Sequence, residues 1–162
     1  MFPTLPQLQG GLFLSDGGLE TSLIFLDKLE LPHFAAFVLL DTELGRARLQ
    51  SYYVPYLELC ADVVGAGFVL ETPTWRANPD WAALLGVDSV RLAEMNMAGA
   101  ALMCALRDRW APRLDGPVVV SGIIGPRGDG YVTGTPQSAT VAADYHTPQA
   151  QALADGGVDM LC

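Results

Sequence analysis

Four short apolar runs limit what this chain can fold into more than any other feature. They are Leu12 to Ser15, Gly67 to Thr74 (GFVLETPT), Val118 to Ile124, and Val158 to Cys162. Each has the length and the Val, Leu and Ile content of a strand covered on both faces. The connections between them are far longer than hairpin turns and carry helical spacing, so successive strands are expected to run parallel with helices crossing over between them. The expected class is therefore α/β, built of parallel βα units.

The helices can be placed from their stripes. The first connection carries Leu49, Tyr52, Tyr53, Tyr56, Cys60, Val63 and Val64 on one face, with Pro55 expected to kink or restart the helix. The segment NPDWAALLG reads as a short helix, and the next is expected to start from Ser89 as its N-cap and to bury Leu92, Met95, Gly99, Leu102, Leu106 and Trp110. A last helix, Ser138 to Asp155, closes at Gly156-Gly157, with Pro148 interrupting its ladder. No linker or compositional break divides the chain, which reads as one domain over residues 1–162. Two closures fit this order: an open doubly wound sheet, or part of an eight-stranded βα barrel.

The three earlier strands run into turns that concentrate special residues. Alternation along the first puts Leu12, Leu14 and Asp16 on one side, and along the second Phe68, Leu70, Thr72 and Thr74. The third runs into SGIIGPRGDGYVTGT, Ser121 to Thr135, whose glycines imply close backbone approach to a partner. A phosphate is not the favoured partner: the first turn reads DGGLET rather than GxGxxG, and the third has no P-loop lysine. Polar groups at the carboxyl rim of parallel strands are where barrels and open sheets alike place binding and chemistry. Local duties compete with that reading, since Asp16 could cap the following turn and Thr72 could satisfy a neighbouring backbone group.

Charge removes whole classes of partner. With 9 Lys and Arg against 18 Asp and Glu, the net charge is -9, so nucleic acid and anionic membrane surfaces are excluded as partners. No run approaches the ~20 apolar residues of a membrane span, and the start lacks a basic segment ahead of an apolar core; a cytoplasmic location is expected. Cys60, Cys104 and Cys162 lie too far apart for a CxxC-type zinc site and form no disulfide framework, so no metal ligand is assigned. His33 and His146 read as loop and helix residues rather than ligands.

LSDGGLETSL (Leu14 to Leu23), GFVLETPTWRA (Gly67 to Ala77), SGIIGPRGDGY (Ser121 to Tyr131) and YHTPQAQALADGGVDML (Tyr145 to Leu161) resemble, in order, the strand-end motifs of the homocysteine S-methyltransferase family. The resemblance implies the first half, about four strands, of a (β/α)8 TIM-type barrel. It implies methyl transfer to the homocysteine thiol to give methionine. It also implies zinc as the family's cofactor, held by cysteines in a later part of the barrel that these residues do not reach, so no zinc is expected on this chain alone. Zinc makes chemical sense there, because a thiol of pKa ~8.5 is mostly protonated at neutral pH and coordination converts it to the thiolate. Carried over to matching positions, Asp16, Gly17, Gly18 and Thr21 form the amino-acid cradle, and Thr72 and Thr74 line the same mouth. Gly125, Gly128 and Asp129 belong to a rim loop where a methyl donor enters. Glu20 stands where many members have glycine, and Arg76 where others carry an aromatic or small residue.

A complete barrel takes about 250 residues. A half barrel leaves strand edges and an apolar inner face open, so a second half-barrel chain, self-association or a truncated product is expected. The partners implied are homocysteine and a methyl donor once the barrel is completed. The alternative is a non-catalytic small-molecule binding or assembly subunit derived from that barrel; an open-sheet nucleotide binder using the Gly122 to Gly130 loop ranks behind both.

Overall fold

The computed structural model describes residues 4–132, 134 and 136–162. Of the glycine-rich stretch read above, Thr133 and Thr135 lie outside the described residues. Strands β1 (Phe13–Ser15), β2 (Gly67–Glu71), β3 (Val118–Gly122) and β4 (Met160–Leu161) form one sheet in the order β1-β2-β3-β4. Every neighbouring pair is parallel, with Leu14 opposite Phe68, Val69 opposite Val119 and Ser121 opposite Met160. This order decides between the two closures. A doubly wound sheet reverses its strand order at a switch point, whereas here each new strand joins the same edge, as in the first half of a (β/α)8 barrel.

The connections are helical as expected. The turn after β1 is α1 (Leu19–Thr21), continued by a wider π-type turn over Ser22–Leu26. Then come α2 (Glu43–Ala61), α3 (Pro79–Leu84), α4 (Ser89–Trp110) and α5 (Ala139–Asp155). Side-chain caps start four of them: Thr42 for α2, Asn78 for α3, Asp88 for α4 and Ser138 for α5. Asp88, not Ser89, caps α4, its carboxylate accepting from the Arg91 N–H at 2.8 Å; a charged oxygen also complements the positive end of the helix dipole. Pro55 and Pro148 restart neither helix, because α2 and α5 run through them. Each proline removes one ladder bond, but buried neighbours on both helices, Tyr53 and Leu57, and Gln149, Ala152 and Leu153, keep the axis seated.

Strand ends are shorter than read from sequence. Thr72 to Thr74 and Ile123 to Ile124 lie beyond the paired residues, and Leu12 is exposed, as is Val64, which lies past the end of α2. The core lies between the sheet and its helices: Phe68, Leu70 and Val120 pack with Leu49, Tyr53 and Leu57 of α2 and Met103 and Leu106 of α4. All six expected stripe residues of α4 are buried. By strand alternation Val69 and Glu71 project to the opposite face, the inner side of the curl. No helix among the described residues is long and apolar enough to cross a membrane.

Candidate functional site

The carboxyl ends of β1, β2 and β3 converge on a small cavity of about 170 Å³ lined by Asp16, Gly17, Gly18, Glu20, Glu71 and Thr72, with Tyr53 and Trp75 behind them. Asp16 leaves β1 toward α2, where its Oδ2 accepts a hydrogen bond from the Tyr52 hydroxyl at 2.8 Å. Its Oδ1 is buried and has no partner among the described residues. Burial is the main reason its pKa rises to about 6, with the Glu71 and Glu20 charges adding to the rise and the Tyr52 hydrogen bond opposing it. Glu20 and Glu71 are also raised, again chiefly by burial. Three carboxylates that are costly to ionise around one small cavity favour a cationic guest.

Tyrosines from one helix shape the floor. Tyr52 holds Asp16; Tyr53, buried, donates from its hydroxyl to the Glu71 carbonyl at 2.7 Å and so ties α2 to the end of β2. Tyr56 sits by Gly17, where an added Cβ would come 3.0 Å from its hydroxyl. Glycine at this turn therefore leaves room for the tyrosine and keeps the backbone open to a ligand. Gly17 and Gly18 are both exposed.

Thr72 and Thr74 have a second duty. The Ile123 N–H donates to Thr72 Oγ1 at 2.9 Å, and Thr74 Oγ1 donates to the Ile123 carbonyl at 2.8 Å. The proton of Thr74 being committed, the 2.6 Å contact between the two hydroxyls has Thr72 as donor. The result is a closed ring of hydrogen bonds that clamps the end of β2 to that of β3. Thr72 also borders the cavity, whereas Thr74 is fully buried behind it. Thr74→Val should leave the Ile123 carbonyl and the Thr72 proton without partners, at about 1–3 kcal/mol in the urea unfolding free energy, with Thr74→Ser costing clearly less.

The glycine-rich stretch approaches protein backbone. Gly125 is buried against Trp75, whose carbonyl oxygen occupies the space a Cβ would need. Gly128 has φ of +74° and its carbonyl accepts from Trp81 Nε1 at 3.2 Å. Asp129 accepts from the Tyr131 N–H at 2.9 Å, and Arg127 pairs with Asp80 at 3.2 Å. This loop forms one wall of a larger groove, about 630 Å³, next to the first cavity and sharing Glu20 and Trp75 with it; Thr21, Arg76, Trp81 and Asp129 also line it. Thr21 thus faces the groove, not the cavity.

Sequence reasoning missed Tyr52, Tyr53 and Glu71, and with them the polar frame beneath Thr72 to Asn78. Gln149 Nε2 donates to the Thr74 carbonyl at 2.8 Å, and Asn96 Nδ2 to the Ala77 carbonyl at 3.0 Å. By their spacing Tyr52 and Tyr53 read as apolar stripe, and alternation taken from Phe68, which faces the helices, skips Glu71. Following it from Val69 leads to Glu71.

The residues present do not fit a zinc site. Among the described residues no three His, Cys, Asp or Glu come together for a metal ion. Cys60 Sγ on α2 lies against the Gly67 carbonyl at 3.5 Å and Cys104 Sγ on α4 against that of Gly157 at 3.3 Å.

A family model described as homocysteine S-methyltransferase matches residues 13–162. Crystal structures of the homocysteine methyltransferase MmuM from Escherichia coli share the fold. The oxidized form superposes with a TM-score of 0.76 at 22% identity, over 96% of this chain and 54% of that one. The metallated form gives 0.69 at 23% identity with the same coverage. The chain thus spans about half the length of these structures. No curated protein matches the sequence.

Proposed function

The chain belongs to the homocysteine S-methyltransferase family, and from that premise we propose that it supplies the homocysteine-binding half of a methyltransferase barrel, with Asp16 as the anchor for the substrate ammonium. The observation that carries this reading is the buried, unpartnered Oδ1 of a carboxylate whose other oxygen is fixed by Tyr52. A buried carboxylate oxygen without a donor is costly, and an ammonium group supplies both the donor and the opposite charge. The exposed backbone at Gly17 and Gly18 is suited to the substrate carboxylate. Thr72 completes the wall, and the loop with Gly125, Gly128 and Asp129 forms the rim on the donor side.

Methyl transfer to the thiol needs the thiolate, which is a minor species at neutral pH. A metal to generate it would take its ligands from outside these 162 residues, and we expect no methionine to form from this chain alone. The scattered cysteines also favour a second reading, a subunit that binds the amino acid without transferring methyl. Methionine formed by the 162-residue chain with added zinc and methyl donor would exclude that second reading. We expect a cytoplasmic location, with which the three free thiols accord.

Calorimetric titration tests the anchor. L-homocysteine should bind saturably, and 4-mercaptobutyrate, identical except for the missing amino group, at least tenfold more weakly, the loss expected for a charge-assisted hydrogen bond. Equal affinity of the two would remove the ammonium assignment, and absence of saturation by homocysteine would remove the cradle.

A further inference from the structure

Arg76 lines the larger groove and its guanidinium is only partly used. The residue is 8% exposed, its Nη1 donates to the His33 carbonyl at 2.7 Å, and its plane stacks on Trp81 at 3.9 Å and near Trp75 at 4.8 Å. Among the described residues no carboxylate pairs with it, and Nε is buried without an acceptor. The edge carrying Nε–H and the second amino group is therefore free. Glu20 feels its charge through space but forms no ion pair with it, and a desolvated guanidinium with a donor left unpaired is costly in a folded protein. The backbone works to keep it in place: His33 and Phe34 both have left-handed φ, 54° and 55°, which turn the His33 carbonyl onto Arg76.

The groove around that edge has the volume of a small-molecule site and walls of Trp75, Trp81, Phe34, Tyr131 and Leu31. Two parallel N–H groups match the two oxygens of a carboxylate. Glu20 and Asp129 also line the groove, and their charges oppose a multiply charged phosphate. We propose that this groove is a second small-molecule site, taking a monocarboxylate with a flat apolar body whose carboxylate docks on the free edge of Arg76. The site does not depend on homocysteine binding at Asp16.

Phenylacetate and its neutral isostere phenylacetamide are the probes, and the fluorescence of Trp75 and Trp81 in the groove wall is the readout. Phenylacetate should quench saturably in the millimolar range, and the amide at least tenfold more weakly. Arg76→Gln should abolish the preference for the acid, and Arg76→Lys should keep part of it. Equal binding of acid and amide by the wild-type chain, or no saturation by either, overturns the proposal. Because that comparison uses unmodified protein, it decides the matter even if Arg76→Gln fails to fold. Loss of homocysteine binding with retained phenylacetate preference would count against the Asp16 anchor alone.

Discussion

Replacing Phe68 by alanine should cost about 3–5 kcal/mol of folding free energy, the range for truncating a fully buried phenylalanine. Phe68 is completely buried at the middle of the sheet, opposite Leu14 on β1 and Val118 on β3, and belongs to the core that joins the strands to α2 and α4. A cavity there removes support from the strand that also presents Glu71 and leads into Thr72. The urea midpoint should fall sharply, and homocysteine affinity should fall with it even where the chain remains folded. Phe68→Leu, which refills much of the space, should recover most of both. An unchanged midpoint for Phe68→Ala would mean that the sheet does not pack on its helices as described.

Asp16→Asn is the opposite kind of change. It should weaken homocysteine binding about tenfold to a hundredfold, the value of a buried charge-assisted hydrogen bond, while leaving the fold no less stable at neutral pH. The sign follows from the pKa. Asp16 rises from 3.8 to about 6 on folding, so below 3.8 its carboxyl is protonated in both states and its ionisation costs nothing. As the pH rises through this window the unfolded chain ionises first, and above about 6 the folded state bears the whole penalty of a buried charge. Asparagine never ionises, and it can still accept from Tyr52. A residue with a purely structural role would lose stability on substitution; an anchor held in readiness for a cation loses binding instead.

The architecture was legible because the strand segments carry short apolar runs, Val- and Leu-rich in β2 and β3, separated by long helical connections, and because the α4 stripe repeats cleanly from Leu92 to Trp110. Closure was legible only through the strand-end motifs of the family, since a barrel and a doubly wound sheet share the same local βα pattern and differ only in which edge receives the next strand. At the site, Asp16 stood out as a carboxylate ending an apolar strand before two glycines. Its partner did not, because Tyr52 lies on a helix whose stripe reads as core until the hydroxyl is seen to reach Asp16. The two threonines show the reverse: they read as mouth residues, yet their hydroxyls close a ring with Ile123. Arg76 stood out only as a departure from a familiar motif, and its stacking between two tryptophans depends on a fold-level meeting of loops.

The most direct test of the Asp16 anchor is the affinity of L-homocysteine as a function of pH, measured for wild type and Asp16→Asn from about pH 4.5 to about pH 8. The ligand keeps its ammonium throughout this range, so only the protein side titrates. Wild-type affinity should be level above about pH 6 and fall roughly tenfold per pH unit below it, as protonation removes the charge that the ammonium meets. Asp16→Asn should show weak binding with little of that dependence, any residue of it coming from Glu20 and Glu71, which are raised in the same direction. A wild-type affinity that stays level through pH 6, or a decline of equal size in both proteins, would contradict the assignment of Asp16 as the anchor.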